Sequence, residues 1–251
     1  MLARLLSCAT LLAVSATAYA DWKPAPAPLM TKWGKQVTPE NAWKEYPRPQ
    51  LVRKDWLNLN GLWDYTVAKK KDLVVKHTGP RTQILVPFAI ESALSGVGRG
   101  LTADEVLVYS RTFTVPPEWK GKRVLLNFGA VDWEASVRVN NTVFDTHRGG
   151  NDPFSFDITA ALKPGENALE VTVWDPTDSG AQPRGKQKMK PEGIWYTPVS
   201  GIWQTVWLEP VADTRLTGVT CTADIQKGEV LFRFGTAGTK AGDRIDILVT
   251  D

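Results

Sequence analysis

The sequence contains almost no cysteine and almost no histidine. Its 251 residues include two of each, and one cysteine, Cys8, falls within the first twenty positions. Without that segment Cys221 has no partner, which excludes an internal disulfide, and we expect Cys221 to be a small buried apolar residue. His77 and His147 stand isolated, so neither a zinc-type cluster nor a Ser-His-Asp arrangement is visible.

The sequence also lacks a strong net charge and an apolar run long enough to span a membrane. A formal charge of +3 gives no indication of a nucleic-acid or membrane partner. The apolar run at 5–16 is shorter than the roughly 20 residues that cross a bilayer. It follows Arg4 and precedes the small-x-small ending Ala18-Tyr19-Ala20, which is the pattern of a secretory signal peptide over 1–20. We therefore predict an exported protein, periplasmic or extracellular, with no membrane anchor.

Helical periodicity is absent as well. No stretch of ten or more residues keeps the 3.6-residue period of an amphipathic helix. Short runs of β-branched and aromatic residues alternate instead with turn signals, which is typical of a β-sandwich or jelly roll. The strands predicted in the first part of the chain are 61–67, 82–87, 106–116, 122–128, 134–140, 154–159, 167–175 and 202–211.

Composition divides the chain after the signal segment into three parts. Residues 21–45 contain four prolines, and this composition predicts an extended lead-in segment. Residues 46–211 contain the predicted jelly roll, and residues 212–251 are too few for an immunoglobulin-like sandwich of about 100 residues. Because the chain ends directly after the apolar run IDILV, we expect an incomplete domain and a polypeptide that continues. Three strands are predicted in this last part, at 214–225, 228–237 and 243–251.

One pair of carboxylates has a spacing that could serve catalysis. Asp132 and Glu134 are two positions apart, so on one strand they would share a face with their Cα atoms about 6.6 Å apart. Retaining glycosidases need carboxyl groups about 5–5.5 Å apart, so a free-standing glycanase is one hypothesis. The alternative is that Asp132 and Trp133 lie in the turn before the strand and only Glu134 faces outward.

The segment from 175 to 193 is long for a connection in a compact β domain, and such loops are often functional. Arg184, Lys186, Lys188 and Lys190 occupy every second position of its central part. This pattern fits a solvated basic edge, and it also fits contact with a polar or acidic saccharide or with a neighbouring domain.

The segment that follows, 193–210, carries three tryptophans and one tyrosine. Alternation along the predicted strand places Trp203 and Trp207 on one face, where packing is favoured because tryptophan buries about 150–250 Å². Trp195 and Tyr196 precede that strand in a loop, and they are better candidates for a ligand surface.

Five segments, in order along the chain, resemble the amino-terminal sugar-binding domain of glycoside hydrolase family 2. That family includes β-galactosidases, β-glucuronidases and β-mannosidases. The segments are YPRPQLVRKDWLNLNGLWDY (46–65), VPFAIESALSGV (86–97), LLNFGAVDWEASVRVNN (125–141), GGNDPFSFDITAALKPGENALEVTVWDPTD (149–178) and GIWYTPVSGIWQTVWLEPV (193–211).

The resemblance implies a jelly roll, then an immunoglobulin-like domain, and then a TIM barrel that carries the catalytic glutamates. A barrel takes about 250 residues, so it has no room in this chain and no catalytic residue can be named in it. The implied partners are a carbohydrate substrate and the carboxy-terminal catalytic barrel of the same polypeptide. No cofactor, metal or nucleic acid is implied.

Two positions depart from the bacterial β-galactosidase pattern. An aspartate of that pattern, five residues before Ser-Gly-Ile, is replaced here by Trp195, and an asparagine corresponds to Ala89. The resemblance therefore leaves the sugar undecided.

In this family, loops of the first domain shape the rim of the substrate pocket. A stand-alone carbohydrate-binding module and a purely structural platform for a barrel are the alternative functions. The residues that we predict to contact saccharide are Glu91, Asp178, Arg184, Lys186, Trp195 and Tyr196.

Overall fold

The computed structural model describes residues 22–70 and 82–250, so the predicted signal segment and His77 lie outside the described residues. The described part is almost entirely strand, with a few short 3-10 helices, and none of these helices is long and apolar enough to cross a membrane. The 3-10 helices are Gly34–Gln36, Pro49–Leu51, Ala93–Ser95, Pro117–Trp119 and Thr159–Ala161. The strands are β1 (Leu57–Asn58), β2 (Gly61–Lys69), β3 (Thr82–Val86), β4 (Glu105–Thr114), β5 (Arg123–Phe128), β6 (Val131–Asp132), β7 (Glu134–Val139), β8 (Thr142–Val143), β9 (His147–Arg148), β10 (Phe154–Asp157), β11 (Glu166–Trp174), β12 (Gly201–Ile202), β13 (Val206–Val211), β14 (Arg215–Asp224) and β15 (Glu229–Ala237).

Two antiparallel sheets make up the body of the fold. The larger has the order β3-β2-β4-β11-β7-β8, with β9 also pairing with β7, and the smaller has the order β1-β13-β5-β10. The prediction of an all-β sandwich is confirmed. Alternation located most of the strands because many of them bury one face in the core, although β13 is buried on both faces.

The core lies between these two sheets. Val137 and Val139 of β7 and Val171 of β11 point inward from the larger sheet, while Leu126 and Phe128 of β5 point inward from the smaller one. Each fully buried side chain of this kind contributes roughly 1.5–3 kcal/mol to the free energy of folding. The sandwich therefore provides a rigid support for the loops at its ends.

The prediction of one continuous strand over 202–211 is wrong. β12 pairs with β6 in a small separate sheet, whereas β13 pairs with β5 and β1 of the four-stranded sheet. Residues 203–205 connect the two strands, and the Trp203 indole donates to the carbonyl oxygen of Gly150 at 2.7 Å. The segment breaks because it changes partner strands. Trp207 is 3% exposed, so the prediction that it packs in the interior is confirmed.

Strands β14 and β15 form a hairpin that is a sheet of its own. Cys221 lies exposed on β14, so the expectation of a buried cysteine is wrong, because β14 pairs with no strand other than β15 in the described chain. The strand predicted at 243–251 is also wrong over 243–250, where the backbone joins no ladder with any described strand. An apolar run forms a strand only beside a hydrogen-bonded neighbour.

A buried carboxylate fastens the chain before β1 to β13. Glu209 is fully buried and accepts hydrogen bonds from the Tyr46 hydroxyl at 2.5 Å and from the Trp207 indole at 2.7 Å. It also pairs with the guanidinium groups of Arg48 at 2.7 Å and Arg53 at 2.9 Å. These four donors satisfy a charge that burial alone would make costly.

Replacing Glu209→Gln should lower the free energy of unfolding by about 3 kcal/mol, because it leaves two arginines beside a buried site without their counter-charge. Urea unfolding of the full chain measures this change. Glu229→Gln, at an exposed position of β15, is the matched control and should change the value by less than about 0.5 kcal/mol. Equal effects of the two substitutions would contradict the assignment of Glu209 as an anchor.

Candidate functional site

The loop between β11 and β12, residues 175–200, folds back on itself. The Tyr196 amide donates to the Lys186 carbonyl at 2.9 Å, and the Lys188 amide donates to the Tyr196 carbonyl at 3.0 Å. Gln187 and Tyr196 thereby form a parallel bridge. The basic arm of the loop and its aromatic arm therefore lie side by side.

The two exposed aromatic rings of this loop each have a lysine beside them. Trp195 is 38% exposed with Lys188 Nζ 5.2 Å from its ring centroid, and Tyr196 is 63% exposed with Lys186 Nζ 5.9 Å from its ring. Cations at these distances are attracted to the ring faces. The loop thus presents aromatic surface and positive charge together.

An open pocket of about 450 Å³ adjoins Trp195. Asp178 lies in its wall, where its carboxylate accepts from the Met189 amide at 3.3 Å and lies 3.9 Å from Lys188 Nζ. The volume falls within the usual range for small-molecule sites, about 300–1,000 Å³. The residues that line the pocket are Asp178, Lys188, Met189, Lys190, Glu192 and Trp195.

Five of the six residues predicted to contact saccharide belong to this loop, and two of them, Asp178 and Trp195, line the pocket. Arg184 donates a short hydrogen bond to the Asp178 carbonyl oxygen, which ties the start of the loop to its basic arm. The sixth residue, Glu91, follows β3 and points into the protein, where its carboxylate accepts from the Ser200 amide at 2.9 Å. The structure therefore places Glu91 beneath the loop and apart from the pocket.

Three carboxylates from different elements meet at the base of the loop. Besides Glu91, Asp175, directly after β11, accepts from the Ser200 hydroxyl at 2.7 Å, and Asp132 of β6 lies near Asp175 with its carboxyl group against the backbone of Gly150. Glu91 and Asp175 together hold the end of the loop at Ser200. No group of three or more acidic, histidine or cysteine residues within 22–70 and 82–250 is arranged to hold a metal ion.

Burial perturbs all three carboxyl groups. It raises the pKa of Glu91 to about 7, against the hydrogen bonds from Ser200, which act to lower it. It raises the pKa of Asp132 to about 7 as well, and the nearby charge of Asp175 adds to the effect. The pKa of Asp175 is raised by burial too, and the hydrogen bond from Ser200 opposes that shift.

The proposed catalytic pair of Asp132 and Glu134 does not share a strand face. Asp132 pairs with Gly201 of β12, whereas Glu134 pairs with Trp174 of β11 and forms an ion pair with Arg148 at 2.7 Å. The two carboxylates therefore belong to different sheets, because β6 and β7 have different partners.

Sequence reasoning missed the residues that support the loop, which are Asp175, Gln187 and Ser200; Gln187 Oε1 accepts from the Val199 amide at 2.6 Å. Asp175 and Ser200 lie at the two ends of the long loop, and that position could have indicated their role. The burial of Asp132 had no sequence signal, because it depends on how β6 packs in the folded chain.

A pH dependence of stability follows from these shifts. The native state holds the protons of Glu91 and Asp132 more tightly than the unfolded chain, where the pKa values are about 4.5 and 3.8. The stabilisation is therefore complete below about pH 4 and is lost as the pH rises through about 7. We expect Asp132→Asn to show a smaller loss of unfolding free energy than the unsubstituted chain between pH 4 and 8, measured by urea unfolding.

The exposed Asp145→Asn is the matched control for this experiment and should leave the slope unchanged. Coincident pH profiles for the unsubstituted chain and Asp132→Asn would contradict the prediction.

Comparison with known proteins assigns the domain. Residues 97–209, which include the whole loop, match the family described as "Glycosyl hydrolases family 2, sugar binding domain". A β-galactosidase of Thermoanaerobacter pseudethanolicus is 37% identical over 120 residues, which cover 46% of this chain and 15% of that protein. A β-glucuronidase of Paenibacillus borealis is 30% identical over 198 residues, which cover 72% of this chain and 33% of that protein.

Solved structures agree on the fold. A Faecalibacterium prausnitzii β-glucuronidase superposes with a TM-score of 0.58 at 22% identity, covering 75% of this chain and 37% of that one. The chain thus spans a third or less of the length of the two curated relatives named above. From its sequence and its fold, the chain contains the sugar-binding domain of glycosyl hydrolase family 2.

Proposed function

We propose that this chain is the non-catalytic carbohydrate-binding part of an exported family 2 glycoside hydrolase, and that the loop at 175–200 contacts the saccharide. The observation that carries the proposal is the exposed Trp195–Tyr196 pair, which lies within the segment that matches the sugar-binding domain. The relatives named above, a β-galactosidase and a β-glucuronidase, support hydrolysis of terminal β-glycosidic bonds by the whole protein.

Each side chain of the loop has a distinct part in this proposal. The rings of Trp195 and Tyr196 stack on the apolar faces of sugar rings. Lys186 and Asp178 offer a donor and an acceptor to sugar hydroxyl groups. Arg184 acts through the Asp178 backbone, which it holds in place.

The catalytic carboxylates in this proposal come from a carboxy-terminal barrel of the same polypeptide. Retaining hydrolysis needs two carboxyl groups about 5–5.5 Å apart. Glu134 is engaged by Arg148 and Asp132 is buried beneath the loop, so this pair does not supply that arrangement. We further propose that the segment at 1–20 directs the protein to the periplasm or outside the cell.

Replacing Trp195→Ala should weaken saccharide binding about tenfold or more, because a central aromatic contact is lost. Isothermal titration of the full chain against a panel that includes β-galactosides and β-glucuronides identifies the best ligand and measures this change. Trp33→Ala, in the lead-in segment and 68% exposed, is the matched control and should leave the affinity unchanged.

Three results would overturn the proposal. Absence of heat with every saccharide would favour a purely structural platform. Hydrolysis by the 251-residue chain alone, abolished in Glu134→Gln, would instead establish a free-standing glycanase. An affinity that stays the same when the chain is joined to its carboxy-terminal barrel would favour a stand-alone binding module.

A further inference from the structure

We propose that Ser200 is a positioning residue of this site. A hydrogen bond from its hydroxyl group to Asp175 closes the base of the loop at 175–200, and this closure holds the Trp195–Tyr196 pair where a saccharide meets it. The inference rests on the proposed function, because it assumes that these two rings contact the ligand. It adds a residue that is fully buried and does not line the pocket.

Among the described strands, the two that flank this loop share no backbone ladder. Strand β11, which precedes the loop, pairs with β4 and β7 in the larger sheet, whereas β12, which follows the loop, pairs with β6 in a separate small sheet. In a hairpin the ladder between the two strands brings the ends of the loop together. Here a side-chain contact joins the two ends instead, because the Ser200 hydroxyl donates to Asp175 Oδ2 at 2.7 Å.

All the polar groups of Ser200 are engaged. Besides the hydroxyl, its amide donates to Glu91 Oε2 at 2.9 Å, and its carbonyl oxygen accepts from the Ile90 amide at 3.2 Å. Asp175 in turn accepts from the Thr177 amide at 2.8 Å through its other oxygen. Ser200 thus connects the turn after β3 with the start of the loop at Asp175.

Burial makes the structure depend on a hydroxyl group at position 200. Ser200 is fully buried and Asp175 is 3% exposed. A buried carboxylate that loses a donor without gaining water bears the full cost of its desolvation. In Ser200→Ala the Thr177 amide is the donor that remains to Asp175 among the described residues, and the carboxylate regains water when the base of the loop opens.

The residues between the aromatic pair and Ser200 transmit this closure to the rings. The chain is exposed at the aromatic pair and enters the interior at Pro198. The Val199 amide donates to the Gln187 side chain at 2.6 Å, and backbone hydrogen bonds of Tyr196 hold the aromatic arm against the basic arm. The two arms therefore move as one unit, and the closure at Ser200 fixes that unit to the sandwich.

A double-mutant cycle tests whether Ser200 acts through Asp175. Isothermal titration measures the affinity of the full chain for methyl β-galactoside and methyl β-glucuronide, with Ser200→Ala made both in the unsubstituted chain and in Asp175→Ala. We expect Ser200→Ala to weaken binding about tenfold in the unsubstituted chain but less than about twofold in Asp175→Ala, because the hydroxyl then has no carboxylate to hold. Equal losses in the two backgrounds would overturn the inference.

Thr205→Val is the matched control, because it also removes a buried hydroxyl group. Thr205 is 2% exposed in the connection between β12 and β13, and its hydroxyl accepts from Asn60 Nδ2 at 3.2 Å. This variant should bind within about twofold of the unsubstituted chain. A general loss of stability would weaken binding in both variants, so a tenfold loss in Thr205→Val as well would overturn the assignment of Ser200 as a positioning residue.

Hydrogen exchange provides a readout that needs no ligand. The amides of Tyr196 and Val199 should exchange about tenfold faster in Ser200→Ala, while the core amide of Val171 keeps its protection. If the unsubstituted chain binds neither glycoside, the failure belongs to the proposed function, and the exchange data still decide whether Ser200 closes the loop. Unchanged exchange at Tyr196 and Val199, or affinity within about twofold of the unsubstituted chain in Ser200→Ala, would overturn the inference.

Discussion

A carboxylate removed from water needs a hydrogen-bond donor or a proton, and this requirement organises the loop between β11 and β12. Glu91 lies in the turn after β3 and Asp175 directly after β11, and both carboxylates accept hydrogen bonds from Ser200 at the end of that loop. The loop is therefore held at its base by polar contacts, while its tip carries the exposed rings.

The sandwich makes this arrangement possible because it fixes the ends of β3 and β11. Those ends are rigid since both strands bury their inner faces between the two sheets. In the smaller sheet, Glu209 joins the chain before β1 to the inner strand β13 in a related way, with Arg48 and Arg53 supplying full counter-charges. Buried acids thus fasten irregular segments to the sandwich at two places, one with positive partners and one without.

Much of the fold could be predicted from the sequence, because alternation records which strand faces are buried. Prediction from alternation failed where a segment changes its partner strand or has none. The run at 202–211 divides between two sheets, and the run at 243–250 has no partner strand among the described residues. Cys221 was expected inside because cysteine is commonly buried, but β14 belongs to a hairpin whose faces are largely exposed.

For the site, the sequence by itself determined the long basic loop, the separation of Trp195 and Tyr196 from the packed Trp207, and the resemblance to a sugar-binding domain. These features depend on local composition and on strand alternation, which are readable along one chain. Only the tertiary structure decided that Glu91 turns inward to Ser200 and that Asp132 and Glu134 lie in different sheets. The physical reason is that a buried acid selects its donor by proximity in space, and residues 91 and 200 become neighbours only when the turn after β3 and the end of the loop pack together.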